Sequence, residues 1–444
     1  MEINPVKGTR DIVADEADKY HEIESRCRYF ADLDGYKEIR TPIIEHTPLF
    51  LRSVGESSDI VNKEMYTFDD KGGRSLTLRP EMTAGVMRSI VTNKLYANAD
   101  LPLKYFYLGP CFRYERPQAG RYRQFHQFGI EAVGAANYHQ DAEAIILGSH
   151  IIESIGLKNV RVLINSLGDE ESRNNYREAL RKYFADKIDT MCPDCKRRLE
   201  VNPLRILDCK VPEDIEIVKG APKLCDYLSK ESKYYLDSVI AELKAVGIEC
   251  EIDNNLVRGL DYYTGIVFEY HAVIDDQEAK DVGALGGGGH YAHLLKDIGG
   301  PDLEGVGLSF GLERLAYVYD LIRKGQEEPM FYNTVDFYVM GLSESNIDKC
   351  VTLCDLIRHE GMSCEQNYEV KSIKALFKTA DRKKAKFAII VGDDEIKTKT
   401  VKVKNLVSQN QTDVKMDDLS HVLHSLLQEY VETIYSRLLG EKGE

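Results

Sequence analysis

Alternation of apolar and polar positions marks several strands in the first three quarters of the chain. Two extended segments within about 105–133 flank a loop that contains Pro117 and Gly120, a pattern that predicts a β-hairpin with a long tip. Further strands are predicted at 250–253 and at 266–270. These segments predict a β-containing core.

A stretch from about 169 to 247 loses the strand alternation and is rich in helix formers and charged residues, which predicts a helical insertion in the larger domain. Near the C-terminal end, 335–339 and 388–392 read as strands separated by helical sequence, which indicates a small α/β domain. The expected organisation is a first domain at 1–325, a linker at 326–333 and a second domain at 334–444.

Composition restricts the class of protein without naming its function. The 444 residues are 43% hydrophobic and 30% charged, values typical of a soluble globular protein. No apolar run reaches the ~18–20 residues of a membrane span, and the start of the chain lacks the features of a secretory signal. We therefore expect a cytoplasmic protein with no membrane partner. The net charge of −15 argues against general nucleic-acid binding but permits a local basic surface.

The returning strand of the predicted hairpin has two chemically different faces. One face can pack on a core and carries His126, Phe128, Ile130 and Ala132. The other suits a polar small-molecule site and carries Phe125, Gln127, Gly129 and Glu131.

Four arginines crowd around the hairpin tip: Arg113, Arg116, Arg121 and Arg123. Guanidinium groups make forked bonds to phosphate oxygens and stabilise charge in nucleotidyl transfer. A solvated, charged hairpin tip would show the same composition, so the arginines alone leave both interpretations open.

The spacing from Phe112 to Phe125 resembles the second motif of class II aminoacyl-tRNA synthetases, the family's ATP-binding hairpin. The resemblance implies that Arg113 and Arg121 bind ATP, with Arg113 on the α-phosphate, and that Phe125 stacks on adenine. The segment 305–315 looks like the third motif, which would place Arg314 on the γ-phosphate. Pro42 and its preceding segment look like the first motif, which in the family forms a homodimer interface.

The segment Arg258-Gly259-Leu260-Asp261-Tyr262-Tyr263-Thr264-Gly265 resembles the histidine-recognition element of the histidyl-tRNA synthetase group. Histidine presents an ammonium, a carboxylate and an imidazole that has one donor and one acceptor when neutral. The resemblance implies catalytic roles for Arg258 and Arg113. The implied histidine-binding residues are Glu81, Thr83, Gln127, Glu131, Tyr262, Tyr263 and Tyr291.

The implied fold is α+β, with an antiparallel-sheet catalytic core that carries the helical insertion and a C-terminal α/β anticodon-binding domain. The implied reaction joins L-histidine to its tRNA through a histidyl-adenylate. ATP is a substrate, with Mg²⁺ bridging its phosphates. Positioning and charge stabilisation would drive both steps without a side-chain nucleophile.

A basic stripe is predicted on a helix near 371–386. At 3.6 residues per turn, one face carries Lys371, Lys374, Lys378 and Arg382. The opposite face, expected to pack near Ile389 and Ile390, carries Ile373, Leu376, Phe377 and Ala380. The stripe is either a solvated face or a contact for the tRNA backbone. Where the family often has glycine-rich sequence before this helix, the chain reads Tyr368-Glu369-Val370-Lys371, so the family's local anticodon contacts are not carried over to these residues.

Four of the ten cysteines lie in the predicted insertion: Cys192, Cys195, Cys209 and Cys225. Four thiolates could form a structural zinc site. The distal two are single residues and not a second close pair, so ordinary reduced thiols are the adopted interpretation and no metal ligand is assigned.

Three other kinds of protein share parts of this pattern. The regulatory subunit of ATP phosphoribosyltransferase has the class II core and binds histidine without charging tRNA, but the basic C-terminal helix and the retained Arg113, Arg258 and Arg314 oppose that interpretation. Other class II synthetases should lack the element at 258–265. A noncatalytic tRNA-binding scaffold would not need the polar strand face with Gln127 and Glu131.

Overall fold

The computed structural model describes residues 3–55, 58–118, 120–273, 283–322 and 335–438. The chain separates into two compact units, Met1–Pro329 and Met330–Glu444. The expected linker at 326–333 lies outside the described residues. Within the described ranges, no helix is both long enough and apolar enough to cross a membrane.

The first unit is built on a large mixed sheet. Its strands and those of a smaller sheet are β1 (Lys37–Glu38), β2 (Ile44–His46), β3 (Tyr66–Asp69), β4 (Ser75–Leu78), β5 (Leu103–Phe112), β6 (Gln124–Val133), β7 (Val160–Ser166), β8 (Cys250–Ile252), β9 (Ile266–Ala272), β10 (Ala284–Tyr291) and β11 (Gly305–Gly311). Over the described residues the large sheet has eight strands in the order β1-β5-β6-β11-β10-β9-β7-β8, and the small one has the order β2-β4-β3. Only the outer pairs β1–β5 and β7–β8 of the large sheet are parallel there, so the antiparallel core is confirmed.

The predicted hairpin is confirmed as β5 and β6, which pair from Leu103 opposite Val133 to Phe112 opposite Gln124. The neighbouring strands β10 and β11 approach each other closely. A Cβ atom built at Gly288 would lie 1.8 Å from the carbonyl oxygen of Gly307. Because no side chain tolerates that distance, the glycine run fixes how tightly these two strands pair.

Helices surround the sheet and fill the insertion. They are α1 (Asp15–Leu33), α2 (Thr47–Val54), α3 (Thr83–Thr92), α4 (Tyr138–Ser154), α5 (Glu170–Phe184), α6 (Pro193–Val201), α7 (Pro212–Val218), α8 (Lys230–Ala245), α9 (Leu294–Asp297) and α10 (Leu312–Ile322). Shorter 3₁₀ turns span Ile188–Thr190, Pro203–Asp208 and Leu224–Tyr227. The predicted helical insertion is thus confirmed as α5 to α8. Its core includes Tyr176, Leu180, Phe184 and Ile206, all fully buried.

The second unit is a five-stranded sheet, over the residues described, with helices packed on it. The strands are β12 (Phe337–Gly341), β13 (Cys364–Gln366), β14 (Phe387–Val391), β15 (Thr400–Asn405) and β16 (Gln411–Lys415), in the order β13-β12-β14-β15-β16. The helices are α11 (Glu344–His359), α12 (Ile373–Arg382), α13 (Asp393–Thr398) and α14 (Leu419–Leu438).

The helix α12 differs in two details from the sequence prediction. Leu376 and Ala380 pack beside Ala388 and Ile390, whereas Ile389 belongs to the cluster on the other side of the sheet. Adjacent residues of a strand point to opposite faces, so Ile389 could not join Ile390 against one helix. Ile373 is 46% exposed because it is the first helical residue, next to the Ser372 cap, and does not reach the packed face.

Candidate functional site

A cavity of about 870 Å³ opens in the first unit, on the large sheet. Residues of the β5–β6 hairpin, the start of α3, the segment 258–263, strand β9 and the β11–α10 junction line it. Its size is within the range of small-molecule sites. The cavity therefore brings together residues that are far apart in the sequence.

One part of the cavity wall is polar and buried. Glu81, directly before α3, is 3% exposed, and its Oε1 accepts a hydrogen bond from the Ala84 N–H at 2.9 Å. Its other oxygen, Oε2, is buried and has no hydrogen-bond partner among the described residues. Burial raises the pKa of Glu81. Thr83 and Gln127 line the same wall, and the Gln127 carbonyl accepts from the Cys111 thiol at 3.3 Å. An unpaired buried carboxylate oxygen is suited to a cationic ligand.

Glu131 and Tyr291 lie one layer behind the lining residues. The hydroxyls of Tyr107 and Tyr291 donate to the two oxygens of Glu131 at 3.1 and 2.8 Å. Burial, opposed in part by these hydrogen bonds, raises the pKa of Glu131 to about 8. Tyr107 itself lines the cavity. The structure therefore brings Glu131 to the site through Tyr107, not as an exposed surface of the cavity.

The segment 258–265 contributes aromatic and cationic groups. The rings of Tyr262 and Tyr263 lie 4.6 Å apart, and Tyr262 meets the Tyr291 ring edge-to-face at 5.9 Å. Arg258 places its guanidinium 5.8 Å from the centre of the Tyr263 ring and pairs with the Glu269 carboxylate of β9. Residues 258–265, called the recognition segment below, thus present an aromatic wall beside the Arg258 guanidinium, which Glu269 holds in place.

Arginines form the other end of the cavity. Arg113, Arg121 and Arg314 line it together with Glu115, which lies 3.8 Å from Arg113 and 3.6 Å from Arg121. Burial and the nearby Arg121 lower the pKa of Arg314 to about 10. A cation whose pKa is depressed by other cations is stabilised by an anion. This end can therefore hold a polyanion such as a triphosphate.

The guanidinium of Arg113 lies over one face of the Phe125 ring. The Arg113 guanidinium lies 5.1 Å from the centre of the Phe125 ring, and Arg113 Nε donates to the Pro80 carbonyl at 2.8 Å. A purine that stacks on Phe125 must use the opposite ring face or displace the guanidinium. The other two tip arginines lie apart from the cavity lining: Arg116 is exposed, and Arg123 stacks on Tyr114 at 3.9 Å.

The insertion holds the recognition segment in place. Arg205, in the turn Pro203–Asp208, donates to the Gly259 carbonyl at 2.7 Å and to the Asp261 carboxylate at 3.1 Å. Asn202 also donates to Asp261, at 3.3 Å. These contacts join two parts of the chain more than fifty residues apart.

Sequence reasoning missed Glu269, Arg205 and Glu313. Glu313 is 4% exposed and accepts from the backbone and ring nitrogens of His126. The sequence does contain an indication of Glu269. Val267, Glu269 and His271 share one face of β9, and a charged residue is unusual in a strand that is otherwise largely apolar and buried. Arg205 left none, since its partners are distant in the sequence.

Only three of the four cysteines of the insertion lie together, so they do not form a site of four thiols. Cys192, Cys195 and Cys209 come together, but Cys225 is exposed, with its thiol 3.7 Å from its neighbour Asp226. The fourth member of the cluster is Asp214 of α7. Cys225 is separated from the group because the turn Leu224–Tyr227 lies beyond α7 and directs its thiol outward.

Two family models match the chain. One, described as histidyl-tRNA synthetase, covers residues 8–315. The other, described as an anticodon binding domain, covers residues 336–426.

Individual proteins resemble the chain over nearly its whole length. A histidine–tRNA ligase of Bacillus subtilis is 48% identical over 426 residues, which is 95% of this chain and 99% of that protein. One of Geobacillus kaustophilus is 47% identical over 421 residues, or 94% and 97%. The solved structure of apo histidyl-tRNA synthetase from S. aureus has a TM-score of 0.79 at 38% identity and covers 95% of this chain and 100% of its own.

Proposed function

The chain belongs to the histidyl-tRNA synthetase family, and from that membership we propose how the residues of its cavity activate histidine with ATP. The enzyme is a ligase that attaches L-histidine to tRNA and forms AMP and pyrophosphate. One observation carries the assignment of residues. A single cavity is lined by the segment 258–263, by Glu81, whose Oε2 has no partner among the described residues, and by Arg113, Arg121 and Arg314.

Histidine binds at the polar end of the cavity in this proposal. Its ammonium contacts Glu81, Thr83 and Gln127, because Glu81 offers a buried carboxylate oxygen with no partner among the described residues. Its imidazole lies against Tyr262 and Tyr263. Glu131 and Tyr291 act from behind, by fixing the Tyr107 hydroxyl.

ATP binds at the arginine end. Arg113 contacts the α-phosphate, Arg314 the γ-phosphate, and Arg121 adds positive charge beside them. Arginine suits this task because its planar fork pairs with two phosphate oxygens. Adenine stacks on Phe125. Mg²⁺ enters with ATP as part of the substrate.

The first chemical step forms a bond between a histidine carboxylate oxygen and the α-phosphorus and breaks the bond to pyrophosphate. Negative charge builds on the α-phosphate, where Arg258 and Arg113 stabilise it. In the second step a hydroxyl of the terminal ribose of the tRNA attacks the histidyl carbonyl, and AMP leaves. Holding the reactants in line supplies much of the rate in both steps.

The second unit binds the tRNA in this proposal. The helix α12 and the residue Lys371 before it expose four basic side chains: Lys371, Lys374, Lys378 and Arg382. They would contact phosphates, which position the tRNA without reading its bases.

The active form is proposed to be a homodimer whose contact surface includes Pro42, its preceding segment and the small sheet that follows. Ile43 and Ile44 are 40% and 47% exposed, and Phe68 of the same small sheet is 42% exposed. Apolar side chains grouped in this way are typical of contact surfaces. Sedimentation equilibrium of the wild type and of Ile44→Glu tests this point, with a monomeric wild type as the contradicting result.

The central experiment is ATP–pyrophosphate exchange measured with each of the protein amino acids in turn. Exchange that depends on histidine supports the assignment. If another amino acid drives exchange best, the histidine site is wrong. If no amino acid drives it while histidine still binds, a histidine-sensing role replaces the catalytic one.

A further inference from the structure

Three cysteines and one aspartate of the insertion converge on one point. Their potential ligand atoms, one from each of Cys192, Cys195, Cys209 and Asp214, all lie within 4.8 Å of one another. Cys192 and Cys195 flank the start of α6, Cys209 follows the turn Pro203–Asp208, and Asp214 lies in the first turn of α7. Three separate elements therefore meet through these four side chains.

The spacing within the cluster matches a tetrahedral metal site. The sulfurs of Cys192 and Cys209 are 3.9 Å apart, and the Cys209 sulfur is 3.2 Å from Asp214 Oδ2. Around a zinc ion with Zn–S bonds of about 2.3 Å, tetrahedral neighbours lie roughly 3.8 Å apart. The backbone N–H of Cys195 also donates to the Cys192 sulfur at 3.4 Å and orients this thiol toward the cluster.

Asp214 is a buried carboxylate with no cationic partner among the residues described. Asp214 is 1% exposed and accepts hydrogen bonds from the Cys192 N–H and the Cys209 thiol. Across the residues that the structure describes, no lysine, arginine or histidine forms an ion pair with Asp214. A buried carboxylate normally pairs with a cation or binds a metal.

We propose that Cys192, Cys195, Cys209 and Asp214 bind one structural Zn²⁺ ion. Three soft thiolates and one carboxylate with tetrahedral spacing select zinc over the hard cations Mg²⁺ and Ca²⁺. All four ligands come from the protein, so the site is closed and structural. The ion ties α6, α7 and the intervening turn together, and that turn carries Arg205, which contacts the recognition segment.

The first test measures zinc in the full-length chain after dialysis against metal-free, reducing buffer. The wild type should retain about one zinc per chain, and Cys209→Ser and Asp214→Ala should retain less than ~0.1. Cys225→Ser is the matched control, since it removes an exposed cysteine of the same insertion that lies outside the cluster, and it should retain zinc like the wild type.

A second measurement detects the sulfur ligands in the wild type itself, so it does not depend on how well the variants fold. Chelator-treated wild type is titrated with Co²⁺, whose thiolate charge-transfer absorption reports sulfur ligands directly. The band should appear in the wild type, in Cys225→Ser and in Asp214→Cys, which rebuilds a four-ligand site, and should be lost in Cys209→Ser. Wild type that neither holds zinc nor develops the band overturns the proposal. So does equal zinc loss in Cys225→Ser and Cys209→Ser, or a metal-free protein with a Cys192–Cys209 disulfide.

Discussion

Arg258 Nη1 donates to the Glu269 carboxylate, while Arg258 Nε is buried with no hydrogen-bond partner among the described residues. Burial alone would raise the pKa of Glu269, but Arg258 and His271 lower it to about 2. The carboxylate therefore remains charged and holds the guanidinium at the cavity wall. Held in this way, the Arg258 guanidinium is the group proposed to stabilise charge on the α-phosphate.

Replacing Arg258 by alanine should lower the kcat of ATP–pyrophosphate exchange by about 10²–10³-fold, the range seen when one charge-stabilising donor is removed. Histidine affinity, measured by calorimetry, should change little because Glu81 and Gln127 are proposed to bind the ammonium.

The same substitution removes the arginine partner of Glu269 and should lower the melting temperature. The double variant Arg258→Ala/Glu269→Gln removes that charge and should recover stability without recovering exchange. If exchange recovers together with stability, Arg258 has a structural role and no part in the chemistry.

Gln127→Ala should raise the KM for histidine and leave the KM for ATP unchanged, since Gln127 lines the polar end of the cavity. The matched control is Gln124→Ala, which changes the same residue type at an exposed position of the same strand. Exchange kinetics with each substrate varied separately give both constants. An effect confined to the ATP constant would move Gln127 to the other end of the site.

Histidine binding near pH 7 should release a proton from Glu131. The empty protein holds this proton because the pKa of Glu131 is raised to about 8, and a cationic ligand nearby lowers it again. Calorimetry in two buffers with different ionisation enthalpies counts the protons. Glu131→Gln, the control, should release fewer than the wild type. Equal release from both proteins would show that Glu131 is not the source.

His290 should give the protein a pH-dependent stability. Its ring nitrogens lie 3.1 Å from Asp141 and 2.9 Å from Glu304. Burial alone would lower the pKa of His290, but the two carboxylates outweigh it and raise the pKa from 6.5 to about 10. The folded state therefore binds a proton that the unfolded state loses above pH 6.5.

The resulting stabilisation is complete below pH 6.5 and declines as the pH rises through about 10. Denaturant unfolding of the wild type and of His290→Asn should differ most at low pH and converge across that window. The control His139→Asn, at a histidine side chain that is 63% exposed, should follow the wild type throughout. A constant difference between wild type and His290→Asn would contradict the charged ring.

Replacing Lys371, Lys374 and Lys378 by glutamate should weaken tRNA charging and leave ATP–pyrophosphate exchange unchanged. All three side chains are exposed, so folding should be preserved. The control carries the same charge change at exposed lysines elsewhere in the second unit: Lys349, Lys397 and Lys415. Equal loss of charging in both triple variants would indicate a general charge effect, not a contact made by the α12 face.

The sequence was sufficient where the signal is local. The hairpin and the helical insertion follow from periodicity and turn chemistry, whereas Arg314 was identified only by its resemblance to the third motif. How deeply each side chain is buried behind the cavity wall was harder to predict. Strand alternation assigns Gln127 and Glu131 to one face, but only the packing of Tyr107 shows that Glu131 lies behind the cavity.

Partners from distant segments could not be inferred. Asp214, and not Cys225, completes the cysteine cluster because of how α7 packs against α6. In the sequence, a carboxylate in a helical, charged segment cannot be distinguished from an ordinary surface residue. The contact of Arg205 with Asp261 could not be predicted either, because the sequence around Arg205 does not distinguish it from the other arginines of the insertion.

The contacts of Arg205 with Gly259 and Asp261 also make the shape of the segment 258–265 depend on a distant part of the chain. More than fifty residues separate the two contact points, so packing of the insertion core must offset the entropy of closing that loop. A substitution that loosens the insertion core is therefore expected to weaken the choice of amino acid, even where it removes no group that touches the ligand.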